Sequence, residues 1–220
     1  NLQVMEGQTL TNSIVTLAEG KIDISAMPIV LTFLLDKGRG PLAKHGEKGA
    51  EMAANLRALY PYNAGGFGLF ALDSENIKSW DDIKGRTVFN GPPRGAALVN
   101  ARQAITLASG LKEGDDYNGR QANWGQLANI LVDGSVDAFV IPLTFPSARV
   151  TTAQSAGDVT IVSTPKAVFE SENYQKIFNA PGNIPLQVKW EDMGYGDGVK
   201  MISEDGIFRG LGTAFVELVT

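Results

Sequence analysis

Cysteine is missing from all 220 residues, and that absence removes disulfides, zinc–thiolate centres and thiol nucleophiles together. Histidine occurs once, at His45, so neither a histidine-based triad nor a histidine metal site has its partners. No run of about 18 apolar residues exists, so nothing here reads as a membrane-spanning helix. The longest apolar stretch, Met27 to Leu35, is interrupted by Pro28 and Thr32. Basic residues are in deficit, 19 Lys and Arg against 24 Asp and Glu, for a net charge of −5. Both signs are interspersed, leaving no basic stripe for nucleic acid or for an anionic membrane surface. A charged leader followed by an apolar core is also lacking at Asn1, so a signal peptide is expected to have been removed or to lie upstream. What is present is an ordinary globular composition, 44% hydrophobic and 20% charged. Such a length accommodates one large domain or two lobes of about 100 residues each.

The most informative feature is an internal repeat. Leu17-Ala-Glu-Gly20-Lys-Ile-Asp23-Ile-Ser-Ala-Met-Pro28 recurs without a gap as Leu131-Val-Asp-Gly134-Ser-Val-Asp137-Ala-Phe-Val-Ile-Pro142. Each copy predicts a helix that stops at a glycine in the left-handed conformation. An aspartate then opens a short buried strand, which ends at a proline unable to donate to a ladder. Thr9 and Asn12 precede the first helix as Asn123 and Gln126 precede the second, polar side chains able to cap a helix or to reach a ligand. Two such units suggest two similar α/β lobes.

Between the copies, Ile77-Lys-Ser79-Trp-Asp-Asp82-Ile-Lys-Gly85-Arg-Thr-Val-Phe89 predicts a short helix with a Ser79–Asp82 capping box, a stop at Gly85, and a strand. The turn Asn90-Gly91-Pro92-Pro93-Arg94-Gly95 follows. A long helix then carries Ala97, Ala101, Ala104, Ile105 and Ala108 on one face and ends at Gly110. Strand, glycine-rich turn and helix form the arrangement in which α/β folds hold anions on backbone N–H groups. Downstream, 159–163 predicts a strand, 169–178 a helix, 190–198 a loop and 212–220 a terminal strand.

Taken together, 17–28, 56–95 and 126–146 resemble the solute-binding proteins of TRAP transporters, in particular the TAXI family. Leu56-Arg-Ala-Leu-Tyr60 and Ile77-Lys-Ser-Trp-Asp-Asp-Ile-Lys-Gly85 are similar to that family's segment before its first crossover and to its Asp-Leu-Lys-Gly element. The resemblance implies a type II periplasmic-binding-protein fold, two α/β lobes joined by crossover strands near Phe70 and Val162. One lobe would comprise 1–72 plus 165–220, and the other the insertion 73–164. It also implies a periplasmic or extracytoplasmic location and membrane subunits of a TRAP transporter as partners, with no nucleic acid, no cofactor and no reaction. Family elements before the position of Asn1 and after that of Thr220 are expected to be missing, making this an incomplete chain. Where the family's loop reads like Gly-Ser-Gly-Thr, this chain has Pro93-Arg94-Gly95-Ala96-Ala97, with two hydroxyls replaced and an arginine gained.

The expected ligand is a small anionic solute, an organic acid or amino acid. Asn90, Gly91, Arg94 and the backbone N–H groups of Gly95, Ala96 and Ala97 would hold its charge. Thr9, Asn12, Asn123 and Gln126 are either caps or ligand contacts, and Trp124 is a cleft wall beside two amides. Thr144 and Phe145 follow the second repeat's strand, where the crevice of such sheets lies, and Pro28 occupies the matching place in the first copy. Asp23 and Asp137, at strand starts, read as structural; Trp80 and Trp190 read as packing residues and His45 as solvent-facing. An effector-sensing domain of a regulator, or a transferase on the same clamp fold, is the alternative reading.

Overall fold

The computed structural model describes residues 3–4, 9–93 and 96–220. Its helices and strands run in chain order as α1 (Leu10–Ala18), β1 (Ile24–Pro28), α2 (Ile29–Asp36), α3 (Gly46–Ala54), β2 (Arg57–Leu72), β3 (Thr87–Phe89), α4 (Ala96–Ser109), β4 (Asn118–Arg120) and α5 (Leu127–Ile130). They continue as β5 (Ala138–Leu143), α6 (Ala148–Ala153), β6 (Val159–Val162), α7 (Lys166–Phe169), α8 (Glu172–Phe178), β7 (Asn183–Lys189), β8 (Val199–Ile202) and β9 (Ile207–Val219). The class is α/β, as expected. No helix among the described residues is long and apolar enough to cross a membrane.

The chain forms two compact units. The first takes Asn1–Ala64, Asn179–Ile184 and Thr213–Thr220; the second takes Gly65–Phe178 and Pro185–Gly212. Strands β2, β7 and β9 therefore contribute residues to both. These units and the lobes read from sequence divide the chain at different places.

In the first unit, Ile14 and Leu17 of α1, Met27 of β1, Leu31 and Leu35 of α2, and Met52 of α3 pack with Val216 and Leu218 in one apolar cluster. β1 lies antiparallel to the end of β9, from Ile24 opposite Val219 to Pro28 opposite Phe215. Pro28 closes the strand and stands directly before α2, where its missing N–H costs nothing.

In the second unit, β3 pairs in parallel with β4 on one side and β5 on the other, so the order is β5-β3-β4. β2 pairs antiparallel with both β5 and β6. Leu69 stands opposite Val162, which makes the segments near Phe70 and Val162 direct neighbours. The face carrying Val88, Val140 and Leu69 packs on Ala101, Ala104 and Ile105 of α4, the alanine stripe read from sequence. The opposite face carries Phe70, Phe89, Phe139 and Ile141 and packs on Leu127, Ile130 and Phe208.

The local signals are present. Asp82 accepts the backbone N–H groups of Lys78 and Ser79, both at 2.8 Å, which is the capping box. Gly85 and Gly110 both take φ +76°. The two repeat glycines match closely, Gly20 at φ +69° and Gly134 at +68°. The copies differ around them. α1 is a nine-residue helix, whereas the second copy has a single 3-10 turn at Trp124–Gln126 and a four-residue α5. β1 meets an antiparallel neighbour, whereas β5 has a parallel and an antiparallel one. Asp137 accepts the Thr87 N–H at 2.6 Å, a structural role, while Asp23 is exposed. The expected helix over 169–178 is two short ones, α7 and α8, parted after Phe169.

Candidate functional site

Three neighbouring parallel strands deliver their carboxyl ends to one edge of the second unit. β3 leads into Asn90 and Gly91, β4 into Gln121–Trp124, and β5 into Thr144 and Phe145. This is the edge where ligands of open α/β sheets bind, because loops leave it freely and helices begin there.

Beneath the edge lies a charged network. Asn90 is fully buried. Its amide donates to Glu113 Oε2 at 2.6 Å and accepts from Gln121 Nε2 at 2.7 Å. Arg102 on α4 clasps the same carboxylate through Nε at 2.8 Å and Nη2 at 2.6 Å. The Arg102 hydrogen bonds hold the Glu113 carboxyl below its usual range against the opposing effect of burial. Burial, and then the Glu113 charge, push the Tyr117 phenol up to about 12. Asn90 thereby pins the turn: its side chain is spent inside the unit, and its backbone N–H is donated to the Arg120 carbonyl at 3.2 Å. Gly91 at φ +105° bends the chain so that α4 starts close by, with Ala97 Cβ at 3.4 Å from where a side chain would begin. Ala96 is exposed and Ala97 partly buried. Arg94 and Gly95 lie outside the described residues.

Trp124 follows β4 and meets the edge of Phe89 at 6.3 Å between ring centres. It keeps 39% of its surface exposed. Asn123 and Gln126 are exposed beside it, and the Gln126 side-chain oxygen accepts the Asn123 N–H at 3.2 Å, a cap on the short helix. Trp80 is buried, with its indole N–H donated to Ser163 O at 3.1 Å.

Thr144 is exposed, whereas Phe145 turns inward onto Phe208 at 4.9 Å and Tyr195 at 6.4 Å. The Tyr195 hydroxyl takes the Ser147 N–H at 2.9 Å, and burial raises that phenol to about 12. The 144–147 loop is thus anchored from below by an aromatic residue far along the chain.

Sequence reading missed Arg149. It follows this loop in α6, donates through Nη1 to the Pro142 carbonyl, and sets its guanidinium carbon 4.5 Å from the Trp124 ring centre. No carboxylate pairs with it among the described residues. Burial alone shifts it, downward from the ordinary arginine value, whereas carboxylates raise Arg102 and Arg209. A signal was available: Arg149 is the single charged residue between Asp137 and Asp158.

Thr9, Asn12 and Pro28 belong to the first unit. Thr9 stands before α1, and its carbonyl accepts the N–H groups of Asn12 at 2.9 Å and Ser13 at 3.0 Å. Its side chain makes no cap bond. Asn12, with Thr11, Thr16, Lys44 and His45, lines a concavity of about 470 Å³. His45 is not fully solvent-facing as expected. Its ring is partly buried, and Nε2 is enclosed with no hydrogen-bond partner among the described residues. The second unit's set, from Asn90 to Phe145, gathers at one strand edge, whereas Thr9, Asn12 and Pro28 belong to the first unit.

The chain belongs to the NMT1-like family, whose model matches residues 11–188. Solved structures that align with it are periplasmic binding proteins. One is the aliphatic sulphonate binding protein SsuA from Escherichia coli, 18% identical, covering 69% of this chain and 45% of its own, with a TM-score of 0.45. Another is a TRAP periplasmic solute-binding protein from Ralstonia eutropha H16 with bound (S)-2-acetolactate, 14% identical over 96% of this chain and 55% of its own, with a TM-score of 0.46. A third is a TRAP solute-binding protein from Rhodoferax ferrireducens T118 with copurified benzoate, 11% identical over 97% of this chain and 54% of its own, with a TM-score of 0.47. The chain spans about half the length of these proteins. No curated protein matches it in sequence.

Proposed function

We propose that this chain is the ligand-capturing part of an extracytoplasmic solute-binding protein of the TAXI type, which hands a small carboxylate or amino-acid-like solute to the membrane subunits of a TRAP transporter. The observation that carries the reading is the convergence of the Asn90–Gly91, Asn123–Trp124 and Thr144–Phe145 segments at the carboxyl ends of three adjacent parallel strands. Backbone N–H groups at the start of α4, the exposed hydroxyl of Thr144, the amides of Asn123 and Gln126, and Arg94 supply hydrogen bonds of the kind an anion accepts. Thr9, Asn12 and Pro28, the matching positions of the first repeat, are further ligand contacts in this reading, and its lobes are 1–72 with 165–220, and 73–164. Capture by hydrogen bonds and burial requires no cofactor and no reaction.

Thermal unfolding against a panel of organic acids and amino acids tests this. A ligand at about 100 times its dissociation constant stabilises by roughly 2.7 kcal/mol, a shift of several degrees. The reading expects one chemical class to raise the midpoint. A flat response to every carboxylate and amino acid overturns it.

A further inference from the structure

A cation taken partly out of water needs compensation, and the buried Arg209, the partly buried Arg149 and the exposed Arg102 meet the need differently. Arg102 gives its Nε and Nη2 edge to Glu113, at 2.8 and 2.6 Å. Arg209 gives Nη1 and Nη2 to Asp205, at 2.9 and 2.6 Å. Arg149 spends Nη1 on a neutral carbonyl, that of Pro142, and lays its guanidinium on Trp124. Its Nε and Nη2 edge, the edge that Arg102 uses on a carboxylate, meets no acceptor among the described residues. Neither nitrogen is among the enclosed unpartnered atoms of the described residues, which are His45 Nε2, Arg209 Nε and Thr213 Oγ1. Arg149 is thus held at two points, indole face and backbone carbonyl, and its two-donor edge has no partner among the described residues. It stands between the Trp124 segment and the end of β5, at the same strand edge as Thr144.

We infer that Arg149 is the anion anchor of this site, its Nε and Nη2 edge receiving a two-oxygen acidic head, carboxylate or sulfonate, of the bound solute. The inference rests on the solute-capture reading and names the group that recognises the solute's charge. Trp124 has a positioning role. Its ring fixes the plane of the guanidinium, and its exposed remainder forms apolar wall for the carbon skeleton next to the acid. Orientation then comes from the fork, because a planar pair of donors accepts two oxygens in one plane, as Glu113 does on Arg102.

The test is calorimetric titration of the full chain with short-chain and aromatic carboxylates, alkanesulfonates, and the matching neutral amides. It is repeated with Arg149→Met, which keeps the stem on Trp124, and Arg149→Lys, which keeps the charge without the fork. Unaltered protein is expected to bind acids and not their amides, and R149M to bind about 10- to 100-fold more weakly. R149K should regain only part of the loss. Ligand should also change tryptophan emission in the unaltered chain and not in Trp124→Phe. Whether carboxylates or sulfonates bind names the acidic head. Equal binding by R149M and the unaltered protein overturns the anchor while leaving solute capture intact. Should R149M fail to fold, wild-type affinity in R149K overturns it equally. Equal binding of amides and acids removes the anion from the reading, and no binding by any compound fails both proposals together.

Discussion

The hydroxyl of Tyr195 accepts the backbone N–H of Ser147 at 2.9 Å, and Ser147 is almost fully buried. One phenol oxygen thus secures the loop on which Thr144 and Phe145 stand. Removing it leaves a buried donor with no acceptor. Tyr195→Phe should therefore lose about 1–3 kcal/mol in chemical denaturation, with any bound solute weakened as well. A variant as stable as the parent would show that the loop is held by Phe145 packing alone.

Asn90 calls for a comparable experiment on the other side of the site. Its amide is enclosed between Glu113 and Gln121, so Asn90→Ala strips one hydrogen-bond partner from each. A loss of about 2 kcal/mol is expected, whereas Lys112→Ala on the adjacent surface should stay within about 0.5 kcal/mol. Differential scanning calorimetry on both variants makes the comparison.

Acid dependence should report on the Asp205–Arg209 pair. Hydrogen bonding to Arg209 comes first among the causes that depress Asp205 from 3.8 to about 2. The folded value lies below the unfolded one, so the ionised carboxylate stabilises the fold fully above about pH 4, and this contribution disappears as the pH falls towards about 2. Asp205→Asn should melt lower than the parent at neutral pH, and the two curves should converge in acid. Parallel curves down to the lowest pH would remove this role from Asp205.

Two glycines with positive φ should respond unequally to alanine. Gly134 has nothing within 4 Å of an added Cβ, so Gly134→Ala bears backbone strain alone, about 1–2 kcal/mol. At Gly65, with φ +98°, the added atom would sit 2.2 Å from the Leu143 carbonyl oxygen, which is backbone and cannot swing aside. Gly65→Ala should cost on the order of 4 kcal/mol or more, enough to abolish a cooperative melt.

Local chemistry was legible in sequence and long-range chemistry was not. Gly20, Gly134, the Ser79–Asp82 box and the alanine face of α4 depend on neighbours a few residues away, and each stands in the structure as read. The reach of β2 back to Arg57 was hidden, because Pro61 and the pair Gly65-Gly66 punctuate it like turns. Asn90-Gly91 reads as a ligand loop, yet the Asn90 side chain is committed to Glu113, a carboxylate 23 positions away. Arg149 escaped notice because a cation that no described carboxylate approaches is defined by what fails to reach it, which no spacing rule encodes.

The first unit is assembled from three separate stretches, and β2, β7 and β9 each serve both units. The two are woven rather than threaded like beads. Cutting between Ala64 and Gly65 would sever a sixteen-residue strand and still release neither half, since two further strands rejoin them. A peptide copied from either unit's longest stretch would lack strand segments that the chain supplies only after passing through the other. Division into separately expressed halves therefore has no natural seam to follow.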